Sequence, residues 1–286
     1  KIPRWQRKYG IKDANVYSYD TMHEIADNPE IDVIYIVVPT GLHAKYAIRA
    51  ANTGKHVWCE KPMAMNVEEC QSIIDACNQN KVKLSIGYRM QHEPNTQTVI
   101  QYAKTKPYGA IQSLEALAGY AGSGTGNSWR FEADMGGGAL YDMGVYSING
   151  LRYATGLEPL RVLSAKRTIP NEVDVTTEFE LEFPDGLRGY GKTSVVENIN
   201  RLRVDCEEGW YKLEPMQSYS GVQGVTSDGK RLNKPVKDQQ ARQMDDDALA
   251  ILNNEPVMVP GEEGLKDIRI VQAIIKADET GGVVGI

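Results

Sequence analysis

The run Ile31-Asp32-Val33-Ile34-Tyr35-Ile36-Val37-Val38 constrains the fold more than any other stretch of the chain. Its β-branched residues favour a strand, and their near-continuity predicts burial on both faces. The run stops at Pro39-Thr40-Gly41-Leu42-His43, and Ala44–Ala51 then carries a helical pattern that ends at Gly54. A second apolar run, Val57-Trp58-Cys59, a helical pattern over Val67–Gln79 and a third run at Lys83–Gly87 follow. Strand, helix, strand, helix, strand in this rhythm calls for right-handed crossovers and a parallel sheet. Ahead of it, residues 1–10 read as the end of a helix stopped by Gly10. Asn15–Tyr17 reads as a short strand, and Thr21–Ala26 as a helix capped by Asp20.

After Tyr88-Arg89 the grammar changes. Helices are expected near Asn95–Lys104 and Gly138–Thr155, with a strand at Ile111–Tyr120 and a glycine-rich loop between them. Strand patterns then crowd together at Leu160–Arg167, Val175–Phe183, Leu187–Val196, Arg201–Glu207 and Trp210–Glu214. Pro184-Asp185-Gly186 and Glu208-Gly209 are hairpin-type turns. Val175, Thr177, Phe179, Leu181 and Phe183 alternate with Thr176, Glu178, Glu180 and Glu182, the mark of an antiparallel sheet with one face buried. Helices over Gln239–Asn253 and Glu262–Asp278 close the chain. The expected fold class is α/β: a parallel, doubly wound domain over residues 1–88, followed by an α+β domain over 89–286 built on a large, open, mostly antiparallel sheet.

The net charge of −6 with no basic block argues against nucleic acid as a partner. No run of about 18 apolar residues exists that could span a membrane. Cys59, Cys70, Cys77 and Cys206 form no metal-ligand motif, and Cys70 and Cys77 lie about 10 Å apart along one expected helix, too far to pair. No bound metal is expected. Reduced thiols favour a cytoplasmic home, with the periplasm left open. The first residues are basic but lack the apolar core of a signal peptide.

A doubly wound nucleotide domain opens with a strand and a Gly-x-Gly-x-x-Gly turn. None precedes Val16, so the sequence is expected to begin inside its first domain and to bind nucleotide poorly as it stands. Gly122-Ser123-Gly124-Thr125-Gly126 lies outside any strand–helix–strand unit and reads as a decoy.

Chemistry is expected where buried strands end, because ligands of open α/β sheets sit in the crevice beyond the carboxyl ends of the strands. Val57-Trp58-Cys59 ends in Glu60-Lys61-Pro62, and a surface turn with a chance ion pair is the plainer alternative. An X-Pro bond in such a turn can be cis. The neighbouring strand ends at Pro39, Thr40 and His43. Further on come Asn127-Ser128-Trp129-Arg130 and Gly136-Gly137-Gly138-Ala139-Leu140-Tyr141-Asp142-Met143-Gly144-Val145-Tyr146. Asp142 and Tyr146, four apart, share one helical face. The three glycines let the backbone approach a ligand closely.

Together these stretches resemble the Gfo/Idh/MocA family of nicotinamide-dependent sugar oxidoreductases, over nearly the whole chain from Tyr9-Gly10 to Pro260-Gly261-Glu262-Glu263-Gly264. The resemblance implies a Rossmann domain, an open-sheet domain, and NAD or NADP as cofactor. It further implies a small sugar as substrate and a homodimer or homotetramer formed through the open sheet. It makes Lys61 the essential lysine, held by Glu60 and Pro62 beside the nicotinamide. Pro39, Thr40, His43, Trp129 and Arg130 become cofactor contacts. Arg89, after Gly87-Tyr88, joins them as a cofactor contact or else serves the domain seam. Most relatives carry histidine where this chain has Tyr146; tyrosine there points to the glucose–fructose oxidoreductase branch.

The chemistry asks for the same residues. Oxidising a secondary alcohol releases a hydride from carbon and a proton from oxygen, and the proton needs a base tuned toward working pH. A tyrosine, with an ordinary pKa of about 10, becomes such a base when a lysine cation stabilises its phenolate. Tyr146 and Lys61 can form that pair, with Asp142 orienting sugar hydroxyls. Two other readings of the same fold are a nucleotide-binding regulator without turnover and an NAD-dependent glycosidase. The identity of the sugar and the choice between NAD and NADP are not encoded in these stretches.

Overall fold

The computed structural model describes residues 2–122 and 128–286. Helix α1 (Ile2–Tyr9) ends at Gly10, whose φ of 66° suits the glycine. A 3₁₀ turn, Met22–Asp27, leads to strand β1 (Val33–Ile36). Then come α2 (His43–Ala51), β2 (His56–Cys59), α3 (Val67–Gln79) and β3 (Leu84–Ile86). The three strands form a parallel sheet in the order β1-β2-β3. Asn66 caps α3 by accepting from the amide of Glu69 at 2.8 Å, and Ile73, Ile74 and Cys77 turn inward from that helix.

The second half begins with α4 (Pro94–Thr105) and strand β4 (Ile111–Gly119). A π-helical turn over Leu140–Gly144 runs into α5 (Val145–Thr155). The strands β5 (Arg161–Thr168), β6 (Thr176–Glu182), β7 (Arg188–Ser194), β8 (Ile199–Cys206) and β9 (Gly209–Leu213) follow. After β10 (Gly224–Thr226) and β11 (Arg231–Leu232) come α6 (Gln239–Leu252), α7 (Gly261–Thr280) and β12 (Val284–Gly285). These strands make one nine-stranded sheet, β11-β10-β9-β8-β4-β7-β6-β5-β12, antiparallel except where β4 runs parallel to β7. The expected alternation on β6 holds: Thr177, Phe179 and Leu181 are buried, and the glutamates between them are half-exposed.

Two apolar cores result. One gathers Val57, Cys59, Ile73 and Ile86 around the parallel sheet, the other Leu151, Phe179, Leu181 and Val204 under the large sheet. Helix α7 serves both, with Leu265 and Ile268 in the first and Ile270, Val271 and Ile274 in the second. At about 25 cal/mol per Å² of apolar surface removed from water, each such aliphatic side chain contributes roughly 1.5–3 kcal/mol, so α7 binds the halves firmly.

Four local expectations are corrected. Asn15–Tyr17 is not a strand: Asp13–Asn15 forms a 3₁₀ turn, and the amide of Asn28 donates to the Asn15 side chain and to the Tyr17 hydroxyl in place of a ladder. The Asp20 cap is instead made by Ser18, whose Oγ accepts from the amides of Asp20 and Thr21. Strand β1 is only half-buried, with Val37 beyond it 64% exposed, because among the described residues β2 alone pairs with it. The expected single helix from Gly138 to Thr155 opens with the π turn. Of the glycine-rich loop, Ser123–Gly126 lies outside the described residues, as does Asn127.

Candidate active site

A cavity of about 620 Å³ opens beyond the carboxyl ends of β1 and β2, between the two sheets. Val38, Thr40, His43, Glu60 and Lys61 line it from the parallel sheet; Trp129, Arg130, Asp142, Met143 and Tyr146 face them. Each expected stretch except Arg89 and Pro39 thus contributes side chains to one space. Pro39 precedes the 3₁₀ turn Thr40–Leu42 and sets its entry with φ −56°.

The strand-end segment is pinned from both sides. The amide of Glu60 donates to Ile36 O at 3.0 Å, and the amide of Gly87 donates to Cys59 O at 2.7 Å. Glu60 also accepts from the hydroxyl of Tyr35 and, at 3.2 Å, from the amide of Lys61. A side chain on Gly87 would come within 3.1 Å of that carboxylate. Burial, together with the charge of Glu60, pushes the phenol of Tyr35 well above its usual range, so it remains a donor. The Lys61-Pro62 bond is cis, as the turn was expected to allow. Met63 beyond it is fully buried against Gly264 of α7.

Lys61 therefore reaches across the cleft. Its Nζ donates to the backbone carbonyl of Asp142 at 2.6 Å, lies 3.9 Å from Asp142 Oδ1 and sits 4.8 Å from the centre of the Tyr146 ring. Burial opposes the ammonium charge, but Tyr146, Asp142 and Glu60 outweigh it and hold the pKa above the ordinary lysine value. Asp142 is claimed from the other side by Arg130, whose Nε donates to Oδ2 at 3.2 Å; the same guanidinium stacks on Trp129 at 4.6 Å. No hydrogen bond to another described residue occupies the Tyr146 hydroxyl, and the ring is 9% exposed, edge-on to the cavity.

The π turn aims these groups. Residues four apart in either a π or an α turn stay on one side, so Asp142 and Tyr146 both face the cavity. Asp174 anchors the start of the turn. Its backbone oxygen accepts from the amide of Ala139 at 2.8 Å and its side chain from the amide of Leu140 at 2.9 Å. The glycines before the turn approach protein, where the sequence suggested a ligand. A Cβ on Gly136 would strike Thr40 at 2.6 Å, one on Gly137 Arg130 O at 2.5 Å, and one on Gly138 Asp174 Oδ1 at 2.3 Å. Their freedom lets three chain segments close behind the site.

His43 is 1% exposed, and its ring nitrogens lie 2.9 Å from Val38 O and 2.9 Å from Pro62 O. It ties the two strand-end loops together. Burial lowers its pKa against the pull of both carbonyls. Arg89 stands one layer back, behind Tyr146 and Tyr219.

Sequence reasoning missed the far wall: Asn200 on β8 and the loop Gln217-Ser218-Tyr219, with Gln240 on α6. Asn200 shapes that loop by accepting from the amides of Met216 and Gln217 at 2.9 and 3.0 Å and donating to Gln217 O at 2.6 Å. No periodicity marks these residues, and only a polar residue breaking an apolar strand pattern could have drawn attention to Asn200. Among the described residues no cluster of His, Cys, Asp or Glu could hold a metal ion, and no helix is long and apolar enough to cross a membrane.

The chain matches known proteins along both halves. Residues 5–88 match the Gfo/Idh/MocA oxidoreductase family, NAD-binding Rossmann fold, and residues 96–212 match the Gfo/Idh/MocA C-terminal domain. It is similar to an aldose-aldose oxidoreductase from Caulobacter crescentus, solved with glycerol: 34% identity, TM-score 0.94, covering 100% of this chain and 88% of that one. It is 26% identical over 297 residues to a D-xylose 1-dehydrogenase [NADP(+)] of Haloarcula marismortui, spanning 93% of this chain and 78% of that protein. A second such dehydrogenase, from Haloferax volcanii, is 24% identical over 274 residues, spanning 93% and 84%. A strand-end lysine in a parallel sheet, facing a helix on a large open sheet, with both halves matched in sequence, leaves one conclusion: the chain belongs to the Gfo/Idh/MocA family of oxidoreductases.

Proposed function

We propose that the protein interconverts a secondary hydroxyl and a carbonyl of a sugar or polyol, using NAD or NADP, with Tyr146 as the proton-transfer group. The observation that carries this reading is the convergence of Lys61, Asp142 and Tyr146 on one cavity at the strand ends. The sugar specificity draws further support from the relatives named above.

The residues present fit a nicotinamide at this end of the sheet. Val38 and Thr40 give one wall of the cavity, Trp129 and Arg130 another, and the donor set between them is cationic and polar. These residues, with Glu60 and Lys61, would hold the group, and the chemistry it supplies when bound is hydride acceptance or donation. The protein's own part is proton handling. In the oxidising direction the Tyr146 oxygen accepts the substrate's hydroxyl proton, and the Lys61 ammonium stabilises the phenolate that precedes that transfer. Asp142, neutralised by Arg130, orients a neighbouring hydroxyl. In the reducing direction the phenol returns the proton to the new alkoxide.

We further propose, from tyrosine at position 146, that hydride passes between two sugars, as in the glucose–fructose oxidoreductase branch. The same reading divides the chain near Tyr88 and pairs protomers through the outer face of the nine-stranded sheet. That face bears ordered cross-strand ion pairs, Lys192–Glu178 at 3.4 Å and Arg188–Glu180 at 3.6 Å among them. Sedimentation would read the oligomer.

A panel of aldoses and polyols followed by the absorbance of reduced nicotinamide tests the activity, with mixed sugar pairs analysed for matched oxidised and reduced products. Turnover with at least one sugar is expected. Nucleotide binding without turnover on any sugar would point to a regulator, and release of an aryl leaving group from a glycoside to a glycosidase.

A further inference from the structure

Arg89 follows β3 and is 3% exposed, yet among the described residues no carboxylate lies within ion-pairing distance of it. Arg152, buried to a similar degree, is met by three: Glu158, Glu263 and Asp267. Arg89 has only neutral partners. One terminal nitrogen donates to Gln217 Oε1 at 3.0 Å, the other to Gln239 Oε1, and the buried Nε has no partner. Its remaining neighbours are two aromatic faces, Tyr219 with the guanidinium carbon 4.1 Å from the ring centre and Tyr146 at 5.5 Å.

A buried charge without a counter-charge is costly, and neutral amides and ring faces offset that cost only in part. On the opposite side Lys61 approaches the same Tyr146 ring at 4.8 Å. The ring thus lies between two cations, and a cation within about 4–6 Å favours the ionised form of its neighbour. We propose that the counter-charge of Arg89 is the Tyr146 phenolate formed during turnover, which makes Arg89 a positioning residue that keeps this tyrosine acidic. The inference rests on the reading of Tyr146 as the proton-transfer group.

The groups facing Tyr146 act in both directions. Lys61, from the loop after β2, and Arg89, from the turn after β3, lower its pKa. Asp142 on its own helical turn raises it, as does Glu60 behind Lys61, and Arg130 offsets Asp142. Tyr219, from the loop after β9, is neutral while protonated. Removing Arg89 leaves Lys61 as the only cation on the ring, so the tyrosine becomes less acidic.

Two readouts test this. The first is the rate of sugar oxidation against pH for the wild type, Arg89→Lys and Arg89→Met. The second needs no nucleotide: titration of tyrosinate ultraviolet absorbance, with the Tyr146→Phe counterpart of each protein subtracted to isolate Tyr146. We expect the ascending limb of the rate and the Tyr146 titration to move up together, by about one to two pH units in Arg89→Met and by less in Arg89→Lys. Should Arg89→Met fail to fold, Arg89→Lys decides through the same direction of shift. Loss of activity in Tyr146→Phe with unmoved titrations in the Arg89 variants would overturn the role of Arg89 alone. An undiminished rate in Tyr146→Phe would overturn the reading beneath it as well.

Discussion

The ammonium of Lys61 donates to the main-chain carbonyl of Asp142 at 2.6 Å, which couples the strand end of the parallel sheet to the π turn of the other half. The same nitrogen lies 3.9 Å from the Asp142 carboxylate, and both side chains are nearly buried, at 14% and 13% exposure. Lys61 therefore has a structural anchor and a chemical neighbour in one residue. Replacing it by methionine keeps the length and removes the charge. We expect turnover to fall at least 10²-fold, the scale of a lost positioned proton-handling or electrostatic group. The freed carbonyl should cost about 1–3 kcal/mol, which leaves the protein folded. A thermal melt with the rate assay checks both. Near-normal rates would mean the Glu60-Lys61-Pro62 segment is only a turn.

The lysine also fixes a pH dependence. Its pKa is held above the ordinary value, so it stays protonated through neutrality and cannot itself be the base there. Oxidation should then rise with pH as Tyr146 ionises, and fall only where Lys61 deprotonates, above about 10.4. For folding, a lysine pKa raised in the native state gives stability that is complete below the unfolded value and is lost as pH climbs through the folded one. A pH–rate profile extended into the alkaline range would show this. A descending limb near neutrality would contradict it.

The thiols should be quiet. Burial pushes Cys70 and Cys77 up to about 12 and Cys206 up to about 11, and Cys59 well above its usual value. All four are unpaired. Since the thiolate is the reactive form, an aromatic disulfide reagent at neutral pH should label the native protein negligibly and four sites after denaturation. Rapid labelling of the native protein would show that one of these sites opens.

Arg152 is the strongest stability element outside the cores. It holds Glu158 at 2.7 Å, Glu263 at 2.8 Å and Asp267 at 2.7 Å, and so ties α5 to α7. Arg152→Met leaves buried carboxylates without a cation and should destabilise by about 3–5 kcal/mol in urea unfolding. A change under about 1 kcal/mol would mean that the carboxylates take up protons or water at little cost.

What the sequence made legible was whatever repeats locally. The bounds of α3 follow from its period and from Asn66, and the alternation through Phe179 and Leu181 declares a one-sided sheet. The active-site stretch at Glu60-Lys61-Pro62 was visible because charge directly after a buried strand is unusual. The π turn was not: five residues at a slightly longer period look like an ordinary helix. The glycines at 136–138 were misread because sequence shows that the backbone must come close to something, not to what. The Arg89 contacts were invisible for another reason. Gln217 is 128 positions away and Gln239 is 150, and such pairings leave no trace in local spacing.

The central claim is that Tyr146 carries the substrate proton, and Tyr146→Phe tests it most directly by deleting one oxygen while keeping the ring. Tyr141→Phe is the control. That hydroxyl donates to Met65 O at 2.7 Å behind the site, with its pKa pushed up to about 12 by burial, and losing it should cost only about 0.5–1.5 kcal/mol of stability. With sugar and nucleotide saturating, we expect Tyr146→Phe to lose about 10²- to 10⁴-fold in kcat, with nucleotide affinity nearly unchanged and Tyr141→Phe close to wild type. Tyr146→His should recover part of the rate at a lower pH optimum. A kcat for Tyr146→Phe within twofold of wild type, or equal losses at both tyrosines, would contradict the account.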